Sequence, residues 1–287
     1  MSVESVPDVA GLHAVDTELL GLPGLMSAYL LEGPDGVAVV DPGAAPAAER
    51  VLDAVEGLGY DPGDVTHLLP THVHLDHAGA TGALAEACPD AAVVVHERGL
   101  PYLTDRAALD RLVAGARAAM GAVADGYGDP DLVPPERCRT VTGGETVTAA
   151  GRALSVVDAP GHAPHQYCLL GRRTGALLAA DAAGMYVAGE LHPSTPPPDF
   201  DLADSLATVD RLLEADPSVL CYAHFGARTD AVAALSAYRD LLPAWVEAAE
   251  AALAAADDAD RAVEHLDERW NGPTVERDLA GVRETLE

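Results

Sequence analysis

The 287 residues carry 46 acidic side chains against 17 basic ones, for a formal net charge of -29, and every basic residue is arginine or histidine. This acidity argues against nucleic acid or an anionic membrane surface as a partner, because like charges repel. It is typical of proteins from extreme halophiles, where dense salt screens the self-repulsion, so it says little about function. Hydrophobic residues make up 49% of the chain, enough for one large domain.

Two further features predict a soluble cytoplasmic protein. The acidic N-terminus has no apolar signal core, and no apolar run reaches membrane-spanning length. The cysteines are scattered and form no Cys-x-x-Cys pair, which is typical of small buried side chains in a reducing compartment. They are Cys88, Cys138, Cys168 and Cys221.

In the first half of the chain, short apolar runs alternate with Gly- and Pro-rich turns, which predicts strands and hairpins interspersed with helices. The predicted strands cover residues 12–20, 27–32, 37–40, 65–70 and 91–96. The predicted helices cover residues 46–58, 76–88 and 103–125. The run 91–96 is apolar at nearly every position, as expected of a strand that is covered on both faces.

The second half begins with further strands and ends with helices. Predicted strands cover residues 137–142, 146–149, 154–158, 167–170, 176–180 and 218–222. A helix is predicted over 202–215 and a long loop over 182–200, and long loops in compact domains are often functional. We expect one domain over residues 1–228 and a helical extension over 229–287 packed on it. Because the extension contains only one histidine, His265, we interpret it as an appendage, compatible with a homodimer surface, and not as catalytic apparatus.

The most informative stretch is Thr-His-Val-His-Leu-Asp-His at residues 71–77, between a predicted buried strand and a helix. His72 and His74 are two positions apart, so they point the same way in extended backbone. Asp76 and His77 lie at the turn into the helix and can face a neighbouring point. The spacing predicts two adjacent metal ions, because burying four such side chains unpaired is costly.

The alternative for this stretch is a hydrogen-bonded polar turn, which predicts no further ligands downstream. The chain instead supplies three more ligand-type residues, each at or just past the end of a predicted strand. They are His162, Asp181 and His224.

These seven residues, in this order, resemble the metallo-β-lactamase superfamily of hydrolases, over about residues 10–228. The Asp41-Pro42-Gly43 turn and the Pro160-Gly161-His162 segment also match the family pattern. The resemblance implies an α/β fold, a four-layer αβ/βα sandwich of two mixed β-sheets with outer helices and a site along one edge. It also implies a division of the ligands: His72, His74 and His162 for the first metal, Asp76, His77 and His224 for the second, and Asp181 bridging both.

The resemblance further implies a reaction. These donors suit two divalent metal ions. Zinc is expected, and iron and manganese are the alternatives. A hydroxide bridging them would attack the carbonyl of a small ester, thioester or lactone, with Asp76 as the catalytic residue that orients it. True β-lactamases usually carry cysteine where Asp181 stands, so the chain is more similar to glyoxalase II-like thioesterases and lactonases.

Several alternatives remain open. His165, Tyr186 and His192 are candidate substrate contacts, although a capping role fits His165 equally and an exposed loop position fits each of the other two better. A mononuclear iron oxidoreductase of the persulfide-dioxygenase type also resembles this family and would use only His72, His162 and Asp181. A metal-carrying scaffold that binds a partner through the tail is a third hypothesis. Metal content per chain separates the first two.

Overall fold

The computed structural model describes residues 3–256, 259–270, 272 and 274–286. The strands are β1 (Val3–Ser5), β2 (Leu12–Asp16), β3 (Ser27–Gly33), β4 (Gly36–Val40), β5 (Val65–Leu69), β6 (Ala92–His96), β7 (Cys138–Val141), β8 (Thr146–Ala149), β9 (Arg152–Asp158), β10 (Tyr167–Gly171), β11 (Ala176–Leu178), β12 (Met185–Val187), β13 (Glu190–His192), β14 (Val219–Cys221) and β15 (Ala227–Arg228). The helices are α1 (Ala48–Gly57), α2 (Leu75–Ala78), α3 (Thr81–Ala87), α4 (Leu100–Thr104), α5 (Arg106–Met120), α6 (Leu202–Glu214), α7 (Ala231–Ala255) and α8 (Val275–Leu286).

Most strands belong to two mixed sheets. The first has the order β1-β2-β3-β4-β5-β6-β7, antiparallel as far as β4 and parallel from β4 to β7. The second has the order β15-β14-β11-β10-β9-β8, in which β11 and β14 form the parallel pair. The short strands β12 and β13 pair with each other.

The core shows why these sheets stack. Side chains alternate between the two faces of a strand, so Tyr29 and Leu31 of β3 pack between the sheets, whereas Leu30 packs against the outer helices. The layer between the sheets also contains Tyr167 and Leu169 of β10. Helices α6 and α7 cover the opposite face of the second sheet. This arrangement is the predicted four-layer α/β sandwich with outer helices.

Some local predictions need correction. The helix expected over 76–88 is two helices, α2 and α3, because the backbone N–H of Ala80 donates to the carbonyl of Gly43 instead of continuing the helix. The loop expected over 182–200 contains the β12–β13 hairpin. Strands β1 and β15 were not predicted. Both are too short to show a hydrophobic pattern of their own. Each forms by pairing with a neighbouring strand, β1 with β2 and β15 with β14.

The C-terminal helices have a core of their own around two tryptophans. Trp245 of α7 and Trp270 have ring centroids 5.5 Å apart, and Leu279 and Val282 of α8 join the same cluster. Within the described ranges, no helix is both long and apolar enough to cross a membrane.

Candidate metal centre

Four chain segments that follow strands converge at one edge of the sandwich. The loop after β5 carries His72 and His74 and leads into α2, which carries Asp76 and His77. The other three ligand candidates follow later strands: His162 lies between β9 and β10, Asp181 after β11, and His224 after β14. The structure therefore brings all seven predicted residues together, in three overlapping groups whose donor atoms lie within 4.8 Å of one another.

The first group consists of three imidazoles. Nε2 of His72 lies 3.0 Å from Nδ1 of His74, and Nε2 of His162 also lies 3.0 Å from that atom. Donors on a tetrahedral zinc ion, with bonds of about 2.0–2.1 Å, are about 3.3 Å apart. The spacing in the structure is close to that of a tetrahedral cation site.

Another group contains Asp76, His77 and His224, and the third, His72, His77 and Asp181, overlaps with both. Nε2 of His224 is 3.6 Å from Oδ2 of Asp76. Oδ1 of Asp181 is 3.3 Å from Nε2 of His77, and Oδ2 of Asp181 is 3.3 Å from Nε2 of His162. The two oxygens of one carboxylate thus face different groups, as a bridging ligand would.

Unpaired atoms at the centre show that cations fit it. Both ring nitrogens of His77, Oδ1 of Asp181 and Nε2 of His224 are buried and have no hydrogen-bond partner among the described residues. A buried polar atom without a partner costs about 1–3 kcal/mol. Cations bound by nitrogen and carboxylate oxygen would satisfy these atoms, so the residues present suit the metal ions that the resemblance implies.

The protonation states of His72, His74, His162 and Asp181 also suit cation binding. His77 differs: burial opposes its protonation, but Asp181, Asp41 and Asp76 together raise its pKa well above the usual value, so a cation would replace a proton there. Burial, followed by the neighbouring histidines, holds the pKa of His72 and of His74 well below the usual value. Burial likewise lowers the pKa of His162. Burial opposes ionisation of Asp181, but His162, His224 and His77 together hold its pKa well below the usual range. Neutral imidazoles and an ionised carboxylate are the forms that bind metal.

Groups outside the ligand set orient several of the rings. Oδ2 of Asp41 lies 3.4 Å from Nδ1 of His77, while Oδ1 of Asp41 accepts hydrogen bonds from the backbone N–H and the hydroxyl of Thr71. Nδ1 of His224 lies 2.8 Å from the carbonyl oxygen of Leu25. Such contacts fix the orientation and tautomer of metal-binding imidazoles.

A cavity of about 950 Å³ opens beside the cluster and reaches the C-terminal helices. His74 and Asp76 lie in its wall, together with Tyr102 and Tyr127. Helix α8 contributes several further residues: Glu276, Arg277, Leu279, Ala280, Arg283 and Glu284. One face of α8 therefore forms part of the cavity wall, a position that the interpretation of the tail as an appendage did not predict.

The three predicted substrate contacts lie in different places. His165 lines the cavity, with its ring centroid 5.8 Å from those of His74 and Tyr102. Burial, then the charges of His162 and His96, lower the pKa of His165 to about 3, so its ring is neutral. Tyr186 and His192 do not line this cavity.

The β12–β13 hairpin explains that result. It places the ring of Tyr186 against Tyr222, at a centroid distance of 5.5 Å, and beneath the guanidinium of Arg228. His192 is buried, close to Gly272 in the C-terminal segment. Both side chains therefore have structural contacts, in place of either the substrate contact or the exposed loop position that the sequence left open.

Sequence reasoning missed four residues beside the centre. Asp41 was noticed only as part of a turn, although a carboxylate directly after a strand was a usable signal. Ser194 contacts both His162 and Asp181 through its hydroxyl, at 3.2 and 3.1 Å. Tyr127 and Arg277 come from distant segments and have no local signature.

The family assignment follows from comparison with known proteins. The family model for the metallo-beta-lactamase superfamily matches residues 22–224, which include every ligand candidate. The chain belongs to the metallo-beta-lactamase superfamily. The matched segment begins before β3 and ends at His224, so it contains most of both sheets.

Its relatives include proteins named as hydrolases. A metallo-beta-lactamase fold-containing protein of Sulfurisphaera tokodaii, ST1585, is 26% identical over 75% of this chain and 78% of its own length. Hydroxyacylglutathione hydrolase of Xanthomonas campestris is 32% identical over 67% of this chain and 60% of its own length. An N-acyl homoserine lactonase of a Bacillus species is 25% identical over 69% of this chain and 78% of its own length. The family and these relatives support a metal-dependent hydrolase.

The solved structure of ST1585 shows how far the shared fold extends. It superposes with a TM-score of 0.72 and 24% identity, covering 96% of this chain and 99% of that one. The overlap therefore extends over nearly the whole chain, and at this identity it describes the fold alone.

Proposed function

We propose that this member of the superfamily is a binuclear metal hydrolase that cleaves the acyl C–O or C–S bond of a small ester, thioester or lactone by attack at its carbonyl carbon. The observation that carries the proposal is the position of Asp181: its Oδ1 faces Nε2 of His77, a buried atom without a hydrogen-bond partner among the described residues, and its Oδ2 faces Nε2 of His162 in the group of three imidazoles. The names of the hydroxyacylglutathione hydrolase and the lactonase among the relatives favour a thioester or a lactone.

In this proposal His72, His74 and His162 would hold the first cation, Asp76, His77 and His224 would hold the second, and Asp181 would be shared by the two. The nitrogen and oxygen donors suit zinc, with iron or manganese as alternatives. When bound, two such cations would supply an activated water and polarise the substrate carbonyl.

Asp76 is the proposed catalytic residue because it belongs to both the cluster and the cavity. Its carboxylate lies 3.6 Å from His224, and the residue also lines the wall that a substrate would touch. From there the carboxylate can orient the attacking water and hold its proton. Tyr102, Tyr127 and His165 surround the same space and would exclude other water from the reacting carbonyl.

Hydrolysis assays on the metal-loaded protein test this function. We expect turnover of at least one ester, thioester or lactone, loss of that turnover on chelation, and recovery when zinc is added back. Asp76→Asn should lower kcat/KM by at least about 100-fold, because it removes the group that handles the proton. Asp53→Asn, at an exposed position on α1, is the matched control. Oxygen uptake with a persulfide, in a protein without hydrolytic activity, would contradict the proposal and support the iron oxidoreductase.

A further inference from the structure

Arg277 of α8 is a cation placed deep in the cavity wall. Its side chain is only 13% exposed. Burial lowers the pKa of its guanidinium, but the negative charges of Asp278, Asp76 and Asp181 outweigh that effect, so the group stays charged. The tail of the chain therefore delivers a positive charge to the space beside the candidate metal centre.

The hydrogen-bonding capacity of this guanidinium is largely unused. A guanidinium has five N–H donors. Among the described residues, Arg277 makes one hydrogen bond, from Nη2 to Oδ1 of Asp278 at 3.2 Å, and its buried Nε has no partner. A buried charged donor without an acceptor is costly, which points to an acceptor that arrives with a ligand.

Asp278 anchors Arg277 without satisfying it. Oδ1 of Asp278 also accepts a hydrogen bond from the backbone N–H of Thr195 at 2.8 Å, and Oδ2 accepts one from the hydroxyl of Thr274 at 2.6 Å. Asp278 is buried, and its charge is shared among these donors. If Asp76 and Asp181 bind cations as proposed, their negative charges are neutralised as well, and the cavity holds an unmatched positive charge.

The rest of the cavity shows what else a ligand must be. Its wall includes apolar side chains from three helices and from the segment after α7: Leu112, Ala116, Met120, Leu253, Val263 and Leu279. The acidic residues that line the cavity, apart from Asp76, are exposed: Asp199, Glu276 and Glu284. A ligand that fits this cavity would therefore combine an apolar body with an anionic group. The anionic group would reach past the exposed acidic residues to the buried Arg277.

We infer that Arg277 is a specificity-determining residue that binds a carboxylate on the substrate, so the preferred ester, thioester or lactone carries an anionic group as well as the scissile carbonyl. Planar guanidinium and carboxylate groups form paired, charge-assisted hydrogen bonds. This inference rests on the proposed hydrolase function. The anionic group can lie on the acyl half or on the leaving half of the substrate, and the experiment separates the two.

The test compares ester pairs that differ only in charge. The acyl pair is 4-nitrophenyl hexanoate and the mono-4-nitrophenyl ester of adipic acid, in which a terminal methyl group becomes a carboxylate. The leaving-group pair is phenyl hexanoate and 4-carboxyphenyl hexanoate. Initial rates are measured on metal-loaded wild type, Arg277→Gln and Arg261→Gln. Arg261 is the matched control because it is a tail arginine that pairs with Glu264 on the surface, with 67% of its side chain exposed.

For one of the pairs, Arg277→Gln should lower kcat/KM of the anionic ester by about 10- to 100-fold, mainly through KM. The neutral ester should change by less than about threefold, and Arg261→Gln should affect neither. An equal loss for neutral and anionic esters, or no loss for either pair, would overturn the inference. Equal loss would make Arg277 a structural partner of Asp278.

Calorimetric binding of adipate to the metal-loaded protein gives a readout that does not depend on turnover. Wild type should bind adipate about 10- to 100-fold more tightly than Arg277→Gln. Equal affinities would mean that the anion contacts only the cations, which overturns the inference. If no ester is hydrolysed but this difference appears, the hydrolase proposal fails while the anion site stands.

Discussion

Asp41 is a buried carboxylate outside the ligand set that lies beside a proposed ligand, His77. Its carboxylate contacts Nδ1 of His77 on one side and is held by two hydrogen bonds from Thr71 on the other. Thr71 in turn directly precedes His72. One buried carboxylate thus links the β4 end of the first sheet to both sides of the proposed binuclear site.

We predict that Asp41→Asn weakens metal binding by about 10- to 100-fold, as is usual when a carboxylate that orients an imidazole is lost. The neutral amide would no longer favour the tautomer in which Nε2 of His77 is free for a cation. Competition with a chromophoric chelator measures the affinity, and Asp35→Asn, in the exposed β3–β4 turn, is the control. Unchanged metal affinity in Asp41→Asn would show that Asp41 does not orient His77 for metal binding.

At the scale of elements, the segment after β13 connects the metal centre to the C-terminal helices. Ser194 contacts His162 and Asp181, and the next residue, Thr195, bonds to Asp278 through both its backbone N–H and its hydroxyl. The indole N–H of Trp245 on α7 also donates to the hydroxyl of Thr195. Helices α7 and α8 are therefore attached directly beside the proposed ligands.

Asp278→Ala should lower the free energy of unfolding by about 3 kcal/mol, because it strips a buried acceptor from Thr195 and Thr274 and leaves Arg277 without its anion. Urea denaturation at fixed salt concentration measures the change. Asp210→Ala, which removes an exposed ion pair with Arg239, should cost less than about 1 kcal/mol and serves as the control. Similar losses in the two variants would show that α8 is held mainly by its apolar contacts.

The sequence predicted those features that have a local pattern. The runs around β4, β5 and β6 are apolar because these strands are covered on both faces, and the His72–His77 spacing is compact enough to be recognised directly. The role of α8 could not be predicted, because Arg277 and Asp181 lie almost a hundred positions apart and meet only through the folding of the tail. The same holds for Tyr127, whose segment reaches the site from the end of α5.

For the whole molecule, the proposed site depends on the two sheets meeting at one edge. Segments after strands of the first sheet supply His72 to His77, and segments after strands of the second supply His162, Asp181 and His224. The strong surface acidity is a separate property: with 46 acidic and 17 basic residues, the chain places three of its arginines, Arg111, Arg277 and Arg283, around the cavity. Four acidic residues, Asp76, Asp199, Glu276 and Glu284, line the same cavity, so binding of an anionic substrate would depend on the buried Arg277 and not on a net positive lining.

Metal content per chain, measured by elemental analysis on protein purified in high salt, tests the central claim most directly. A binuclear hydrolase predicts two ions per chain, zinc or a mixture of zinc with iron or manganese, and a His224→Ala variant that retains about one. A single iron per chain, unchanged in His224→Ala and accompanied by oxygen uptake with persulfides, would contradict the binuclear account.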